Sequence, residues 1–84
     1  MSTFLIPLDS RSRDPVYQQI CEYLKVQIRK GRLKPGEKLP SARGMAQNLG
    51  VSRSTVDLAY GQLVSEGYIE SLPCKGYYVC EIDG

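Results

Sequence analysis

The chain has 84 residues, of which 42% are hydrophobic and 24% are charged, and its formal net charge is +2. A chain of this length forms one small domain, with a modest core and little room for a catalytic cleft. It contains no histidine, and its three cysteines lack the spacing of zinc ligands, which argues against Ser-His-Asp triads and Cys/His metal sites. No segment has the length of a membrane span or the form of a signal peptide, so we predict a cytoplasmic, non-enzymatic protein without membrane contact.

The charges are distributed unevenly along the chain. Ten of the eleven lysines and arginines lie between Arg11 and Arg53, whereas five of the nine acidic residues follow Ser54. This asymmetry favours a basic surface that faces a polyanion. Six of the basic residues lie close together in sequence: Lys25, Arg29, Lys30, Arg32, Lys34 and Lys38. For most of the lysines among them, a solvated face is the simpler interpretation.

Residues 1–13 are predicted to form a lead-in, and the first helix is predicted to begin within the sequence DPVYQQI. Asp14 is a suitable N-cap, and Pro15 suits the first helical position, where no amide hydrogen is needed. Gly31 ends this helix. Five apolar residues have the spacing of one helical face: Tyr17, Ile20, Cys21, Leu24 and Ile28.

A turn and a short second helix follow. The Pro-Gly pair at 35–36 predicts a type II turn, and Leu33 and Leu39 on either side of it are both expected to reach the core. Ser41 is the next candidate N-cap. The apolar spacing after it predicts a helix over about 42–49.

Only Gly50, Val51 and Ser52 separate this helix from a third helical pattern, and Ser52 is a suitable N-cap for it. A loop of this length and composition is typical of a helix-turn-helix. The third helix is predicted to end at Glu66-Gly67. Its buried stripe is predicted to contain Val56, Ala59, Tyr60, Leu63 and Val64.

Two strands are predicted at the end of the chain. Tyr68–Ser71 and Tyr77–Cys80 are rich in aromatic and β-branched residues, and Pro73–Gly76 between them predicts a turn. A hairpin directly after a helix-turn-helix is a wing. The predicted fold is therefore α+β: a small winged helix-turn-helix over residues 14–80, with three helices followed by a two-stranded β-hairpin.

The first turn of the third helix contains Arg53, Ser54 and Thr55. In a helix-turn-helix, the second helix of the motif enters the major groove of DNA with its N-terminal end first. Arg53 can bond guanine O6 and N7 in a bidentate manner, and Ser54 and Thr55 can contact bases or phosphates. Plainer alternatives are a solvated charge for Arg53 and ordinary polar helix-start residues for the other two. Ser52 is more simply a cap than a base-reading residue.

Other candidates surround this turn. Arg43 lies near the start of the second helix and is placed for a phosphate or a base at the groove edge. At the wing tip, Lys75 supplies charge and Gly76 lets the backbone approach a groove, although Gly76 also serves as a turn glycine. Asp57 either accepts a hydrogen bond from cytosine N4 or holds an arginine in place. Leu58 is predicted to point away from the core. It would face a thymine methyl group or, more simply, a partner surface.

The segment GRLKPGEKLPSARGMAQNLGVSRSTVDLAYGQLVSEGYIESLPCKGYYV resembles the N-terminal winged-helix domain of GntR-family bacterial transcription regulators. The resemblance extends over Pro15–Val79 and rests on GxLxPGxxLPS followed by SRxTVxxAYxQLxxEGYIxS. Its second half is most similar to the MocR-like subgroup, with the YtrA-like subgroup as the second choice.

The resemblance implies sequence-specific binding of a double-stranded DNA operator for transcription regulation. The family's DNA contacts would fall on Arg43, Arg53, Ser54, Thr55 and Gly76, with Lys75 beside the last. The chain departs from the family at two positions. Cys74 stands where relatives often carry Gly or Arg, and Asp57 stands where some relatives carry a basic DNA-contacting residue.

MocR-like regulators join this domain to a large aminotransferase-like domain that binds pyridoxal phosphate. Residues 81–84 are accordingly expected to begin a linker to an effector domain absent from this chain. The chain itself is expected to hold no cofactor and no metal, and the full-length protein is expected to be a homodimer.

A second class of function remains open, namely a winged helix that contacts proteins and does not bind DNA. It predicts no salt-dependent affinity for DNA and an exposed apolar surface around Leu58 and the tyrosines.

Overall fold

The computed structural model describes Ile6, Leu8, Asp9 and residues 11–81. The predicted lead-in at 1–13 and the predicted linker at 81–84 lie largely outside the described residues. Three helices are followed by a two-stranded antiparallel sheet: α1 (Val16–Arg29), α2 (Ala42–Leu49), α3 (Arg53–Ser65), β1 (Ile69–Leu72) and β2 (Gly76–Val79). The predicted winged helix-turn-helix is confirmed. No helix in the part of the chain that is described has both the length and the apolar character needed to span a membrane.

The core lies among the three helices and the inner face of the hairpin. Ile20 and Leu24 of α1, Met45 of α2 and Leu63 of α3 are fully inaccessible to solvent, and Val79 of β2 is nearly so. Helices of this length are marginally stable alone in water, so burial of their apolar faces supplies most of their stability. The same packing fixes the orientation of the remaining, solvent-facing side of α3.

The helix α1 begins one residue later than predicted. Pro15 has an extended backbone (φ −57°, ψ 152°) and serves as the N-cap, with its carbonyl oxygen accepting from the amides of Gln18 and Gln19. The predicted capping role of Asp14 is therefore wrong. Its carbonyl oxygen accepts from Gln19 Nε2 at 2.9 Å, and the same side chain bonds the backbone of Asp9. One glutamine thus attaches the lead-in to α1.

The other two helices are capped by the predicted serines. Ser41 Oγ accepts from the Gly44 amide at 3.0 Å, and Ser52 Oγ accepts from the Thr55 amide at 3.3 Å. Between them, Gly50 has a φ of 69°, in the left-handed region that favours glycine. Its amide donates to the Ala46 carbonyl, which ends α2 and reverses the chain into α3.

The predicted turn before α2 is confirmed. Gly36 has a φ of 85°, and the Glu37 amide donates to the Lys34 carbonyl at 3.0 Å, as in a type II turn. Leu33 and Leu39, on either side of it, are buried.

The segment after this turn pairs with the wing, which the sequence patterns did not predict. Lys38 forms an antiparallel bridge with Tyr78. Backbone hydrogen bonds of 2.9 Å join the Val79 amide to the Glu37 carbonyl and the Leu39 amide to the Tyr77 carbonyl. A short extended segment therefore lies along β2 and attaches the wing to the body of the domain.

Two further predictions differ in detail from the structure. Val64 is 37% exposed rather than buried. A helix turns about 100° per residue, so Val64, eight residues after Val56, is rotated from it by roughly 80° around the helix axis. Val64 therefore lies at the edge of the buried stripe. The first strand begins and ends one residue later than predicted, and the second begins and ends one residue earlier. The pairing runs from Ile69 opposite Val79 to Leu72 opposite Gly76.

Two basic residues of α1 have partners within the domain. The Lys25 side chain is only 12% exposed, and its Nζ lies 2.7 Å from Glu66 Oε1. Arg29 donates to the Tyr68 hydroxyl from Nε at 3.0 Å and from Nη2 at 2.6 Å. A solvated-face interpretation is therefore wrong for Lys25. Both residues link α1 to the end of α3 and the base of the wing.

The Lys25–Glu66 pair predicts a pH-dependent stability. Hydrogen bonds from Lys25 and then from Gln62 lower the pKa of Glu66, and the bond to Glu66 raises the pKa of Lys25. The charge of Glu66 therefore stabilises the fold above its unfolded pKa of about 4.3, and this contribution is lost as the pH falls through the lowered pKa. We expect Glu66→Gln to lower the urea midpoint at pH 7, with the difference from wild type closing in acid.

The exposed Glu70 provides a control for this comparison, since Glu70→Gln removes a carboxylate that has no ion-pair partner among the described residues. Circular dichroism at neutral pH and at about pH 3 would measure both variants. An equal deficit of Glu66→Gln at the two pH values would contradict the predicted role of the ion pair.

Candidate nucleic-acid interface

The start of α3 is an exposed, capped helix terminus. Its first turn has no acidic residue, and Arg53 is the first helical residue after the Ser52 cap. The aligned peptide dipoles and unpaired amides of a helix N-terminus favour a nearby anion. The Arg53 side chain is 69% exposed, so its guanidinium is accessible to a ligand outside the domain.

Three hydroxyl groups cluster at this terminus. Ser52 Oγ lies 2.8 Å from Thr55 Oγ1 and 3.3 Å from Ser54 Oγ, in addition to accepting from the Thr55 amide. Thr55 is half-buried, whereas Ser54 is exposed. The prediction that Ser52 is a cap is confirmed. Contacts of Ser54 and Thr55 with DNA stay predictions, and the Thr55 hydroxyl is already bonded to the cap.

Asp57 lies one turn along the helix from Arg53. Its Oδ2 is 3.9 Å from Arg53 Nε, and the two side chains are 51% and 69% exposed. Exposed pairs of this kind contribute about 0–1 kcal/mol, so the arginine can exchange Asp57 for another partner at little cost. Of the two sequence interpretations of Asp57, this geometry favours the one in which it holds Arg53 in place.

Arg43 lies in the first turn of α2, just after the Ser41 cap, and it is exposed. No carboxylate among the described residues lies within 4.0 Å of its guanidinium. Because α2 and α3 pack against a shared core, Arg43 and Arg53 stand at the N-terminal ends of two adjacent helices. A DNA contact by Arg43 stays a prediction.

The tip of the wing is a three-residue turn. The Lys75 amide donates to the Leu72 carbonyl at 3.1 Å, and the Lys75 side chain is exposed. Cys74 has a φ of 61°, a left-handed conformation that costs a non-glycine residue about 1 kcal/mol. Gly76 has a φ of 108°, outside the range that other residues readily adopt. Gly76 therefore has a conformational role in the hairpin besides any contact with DNA.

Lys38 is a candidate that the sequence analysis did not select. A Cβ atom placed on Gly76 would lie 3.4 Å from Lys38 Cε, so the Lys38 stem packs directly against the wing. A second lysine thereby lies beside the hairpin, in addition to Lys75 at its tip. The extended backbone of the segment that contains Lys38 could have been anticipated, because Leu39 precedes Pro40 and residues before proline favour an extended backbone.

Tyr60 holds α3 against both of its neighbours. The side chain is fully inaccessible to solvent, and its hydroxyl donates to the Pro40 carbonyl at 2.8 Å. Its ring meets that of Tyr77 edge to face, with centroids 4.6 Å apart. Burial, and to a lesser extent Tyr77, raise the pKa of Tyr60, so the phenol stays neutral and remains a donor. Tyr60 thus connects the helix, the segment before α2 and the wing.

These features define a winged helix-turn-helix protein with an exposed arginine at the start of its second motif helix. Residues 16–79 match the family of bacterial regulatory proteins called the gntR family. Because the match covers most of the chain, the chain belongs to this family.

Curated relatives include representatives of both subgroups suggested by the sequence. The chain is 43% identical over 77 residues to the HTH-type transcriptional repressor YtrA of Bacillus subtilis (strain 168), covering 92% of this chain and 59% of YtrA. It is 40% identical over 78 residues to MocR of Rhizobium meliloti, named as a probable rhizopine catabolism regulatory protein, covering 93% of this chain and 16% of MocR. The chain therefore spans only part of the length of either relative.

Solved structures share the fold. YtrA from Sulfolobus acidocaldarius, a GntR-family transcription factor, superimposes with a TM-score of 0.87 at 44% identity, covering 93% of this chain and 82% of that chain. The AraR(DBD) structure in complex with operator ORX1 has a TM-score of 0.76 at 35% identity, with 92% of each chain covered. The second of these neighbours was solved with operator DNA bound.

Proposed function

We propose that this domain binds double-stranded operator DNA in a sequence-specific manner and so regulates transcription. In this proposal α3 enters the major groove with its N-terminal end first, and the wing contacts an adjacent groove. The observation that carries it is the capped, exposed start of α3, where Arg53 projects away from the core. The similar fold of AraR(DBD), which was solved on an operator, supports the same role.

The base-reading residues of this proposal belong to α3. Arg53 bonds guanine O6 and N7 as a bidentate donor, the commonest specific contact in the major groove. Ser54 donates to or accepts from a base edge or a phosphate, and Thr55 contributes its methyl group, since its hydroxyl is bonded to Ser52. Asp57 orients Arg53 through the exposed 3.9 Å pair.

The positioning residues belong to α2 and the wing. Arg43 binds a phosphate or a base at the groove edge, and Lys75 and Lys38 bind phosphates beside the wing. Gly76 lets the hairpin backbone approach the groove. Contacts of this kind set the register of a protein on DNA and make its affinity depend on salt.

For the whole protein, we propose a bacterial, cytoplasmic, homodimeric regulator whose effector domain lies outside these 84 residues. Two copies of a winged helix would then read two half-sites, as dimeric helix-turn-helix proteins do. We assign no catalytic role and no cofactor to this chain. If the protein is MocR-like, pyridoxal phosphate would be held by the further domain.

Binding to DNA is tested by fluorescence anisotropy, first on a randomised duplex pool and then on the sequence selected from it. We expect affinity to fall steeply between about 50 and 200 mM salt and to be higher for the selected duplex. Failure to bind any duplex at low salt would reject the proposal and favour the protein-binding alternative. Among the described residues, the exposed large apolar side chains are Val26, Leu58 and Val64, and they are divided between two helices, which does not favour that alternative.

Lys75→Ala should weaken binding to the selected and to the random duplexes by the same factor. It should also reduce the slope of log affinity against log salt by about one, as expected for the loss of one phosphate contact. Lys75→Arg retains the charge and should retain the slope. A loss confined to the selected duplex would show instead that Lys75 reads a base.

A further inference from the structure

We infer that Leu58 is a specificity-determining residue of α3 that contacts the 5-methyl group of a thymine in the major groove. The inference rests on the proposed function and adds a base contact to it. Leu58 is 60% exposed and is the most exposed large hydrophobic residue in the part of the chain that the structure describes. Its position on the helix indicates what would cover it.

Leu58 lies on the side of α3 opposite the core. With about 100° of rotation per residue, Ser54, Leu58 and Gly61 form one stripe along the helix. The fully buried residues Ala59 and Leu63 lie on the other side. A recognition helix presents to the base edges the face that it turns away from its own core. Leu58 therefore lies one turn deeper along the same face as Ser54.

The chemistry of this face favours a small apolar partner. The neighbours of Leu58 on the exposed side are polar or lack a side chain, namely Ser54, Asp57, Gly61 and Gln62. A stable protein–protein interface buries about 800 Å² on each partner, which one leucine in such surroundings does not provide. In the major groove, the C5-methyl of thymine is the apolar group that distinguishes bases. One leucine side chain matches one such methyl group.

Gly61 is consistent with a close approach at this place. It lies inside a helix, where glycine is less favourable than alanine, and it has no positive φ. A Cβ atom at Gly61 would meet no atom of the domain within 4 Å. Packing within the domain therefore does not require a glycine at this position. A wall of the DNA groove lying beside Leu58 would require one.

A thymine-to-deoxyuridine scan of the selected duplex tests the inference, because deoxyuridine lacks only the methyl group. We expect one substitution to weaken wild-type binding about fourfold, the factor for one buried methyl-sized group. Leu58→Ala should bind the thymine and deoxyuridine duplexes equally. Val26→Ala, which truncates an exposed apolar residue on α1, should keep the wild-type sensitivity.

The inference is overturned if no thymine methyl matters, or if Leu58→Ala keeps the full sensitivity. A wild-type oligomer that Leu58→Ala dissociates would likewise overturn it and assign Leu58 to a protein contact. In each of these cases the proposed function stands if binding still depends on sequence and salt. If wild type binds no duplex, both fail.

Gly61→Ala provides a second readout. Alanine should raise the thermal midpoint, since it is the better helix former and meets no atom. The same variant should bind the selected duplex more weakly, because its methyl group occupies the space next to Leu58. Binding as tight as that of wild type would show that no groove wall lies beside Leu58 and would overturn the inference.

Discussion

Arg53→Ala should remove the preference for guanine at one position of the selected operator. Binding to that operator should weaken by about 1–3 kcal/mol, or roughly 5-fold to 150-fold, because a bidentate guanine contact is lost. Binding to random duplexes should fall much less. The fold should be unaffected, since the side chain is 69% exposed and its ion pair with Asp57 is long at 3.9 Å.

Arg53→Lys is the matched control for this prediction. Lysine retains the positive charge but lacks the planar fork that matches guanine O6 and N7. It should keep the salt dependence of wild type and lose most of the guanine preference, as measured by anisotropy on duplexes substituted at each position. If Arg53→Lys reads the operator as well as wild type, Arg53 acts as a point charge on a phosphate and the base-reading role is wrong.

Tyr60→Ala should destabilise the domain by about 3–5 kcal/mol, as truncation of a buried aromatic residue usually does. The residue is fully inaccessible and contacts both the segment before α2 and the wing. A small domain has a total stability of about 5–15 kcal/mol, so much of the stability would be lost. Thermal unfolding followed by circular dichroism measures the change, with Tyr23→Ala at a half-buried position of α1 as the control. Equal losses in the two variants would contradict the proposed role of Tyr60.

Tyr60→Phe separates the hydroxyl group from the ring. It removes the 2.8 Å bond to the Pro40 carbonyl and keeps the edge contact with Tyr77, so we expect a loss of about 0.5–1.5 kcal/mol. Because burial raises the pKa of Tyr60, the neutral phenol stabilises the fold below its unfolded pKa of about 10, and that contribution is lost at higher pH. The difference between wild type and Tyr60→Phe should therefore narrow in alkali.

Much of the site could be predicted because its causes are local. The caps at Ser41 and Ser52 need only a serine three residues before an unpaired amide, and both bonds are present. The exposure of Arg53 follows from its place as the first residue of α3, directly after the Ser52 cap. The one capping prediction that failed, at Asp14, concerned a helix start where a proline and a glutamine provided other partners.

Two contacts that the sequence did not indicate join residues that are distant in the chain. Lys25 resembles any surface lysine until Glu66, near the end of another helix, comes within 2.7 Å. Lys38 resembles a loop residue until its segment bridges to Tyr78. In neither case does the local sequence of one partner indicate the other, because the pairing depends on how the elements pack.

From the residues alone, one could conclude the order of the elements, the two serine caps, most members of the buried stripes and the exposure of Arg53. Each depends on interactions within a few residues of the chain, which spacing and composition reveal. Packing alone decided that Lys38 lies against the wing, that Lys25 pairs with Glu66 and that Tyr60 joins α3 to Pro40 and Tyr77. These contacts form only when the apolar faces of separate elements are buried together, because that burial brings their polar groups within bonding distance.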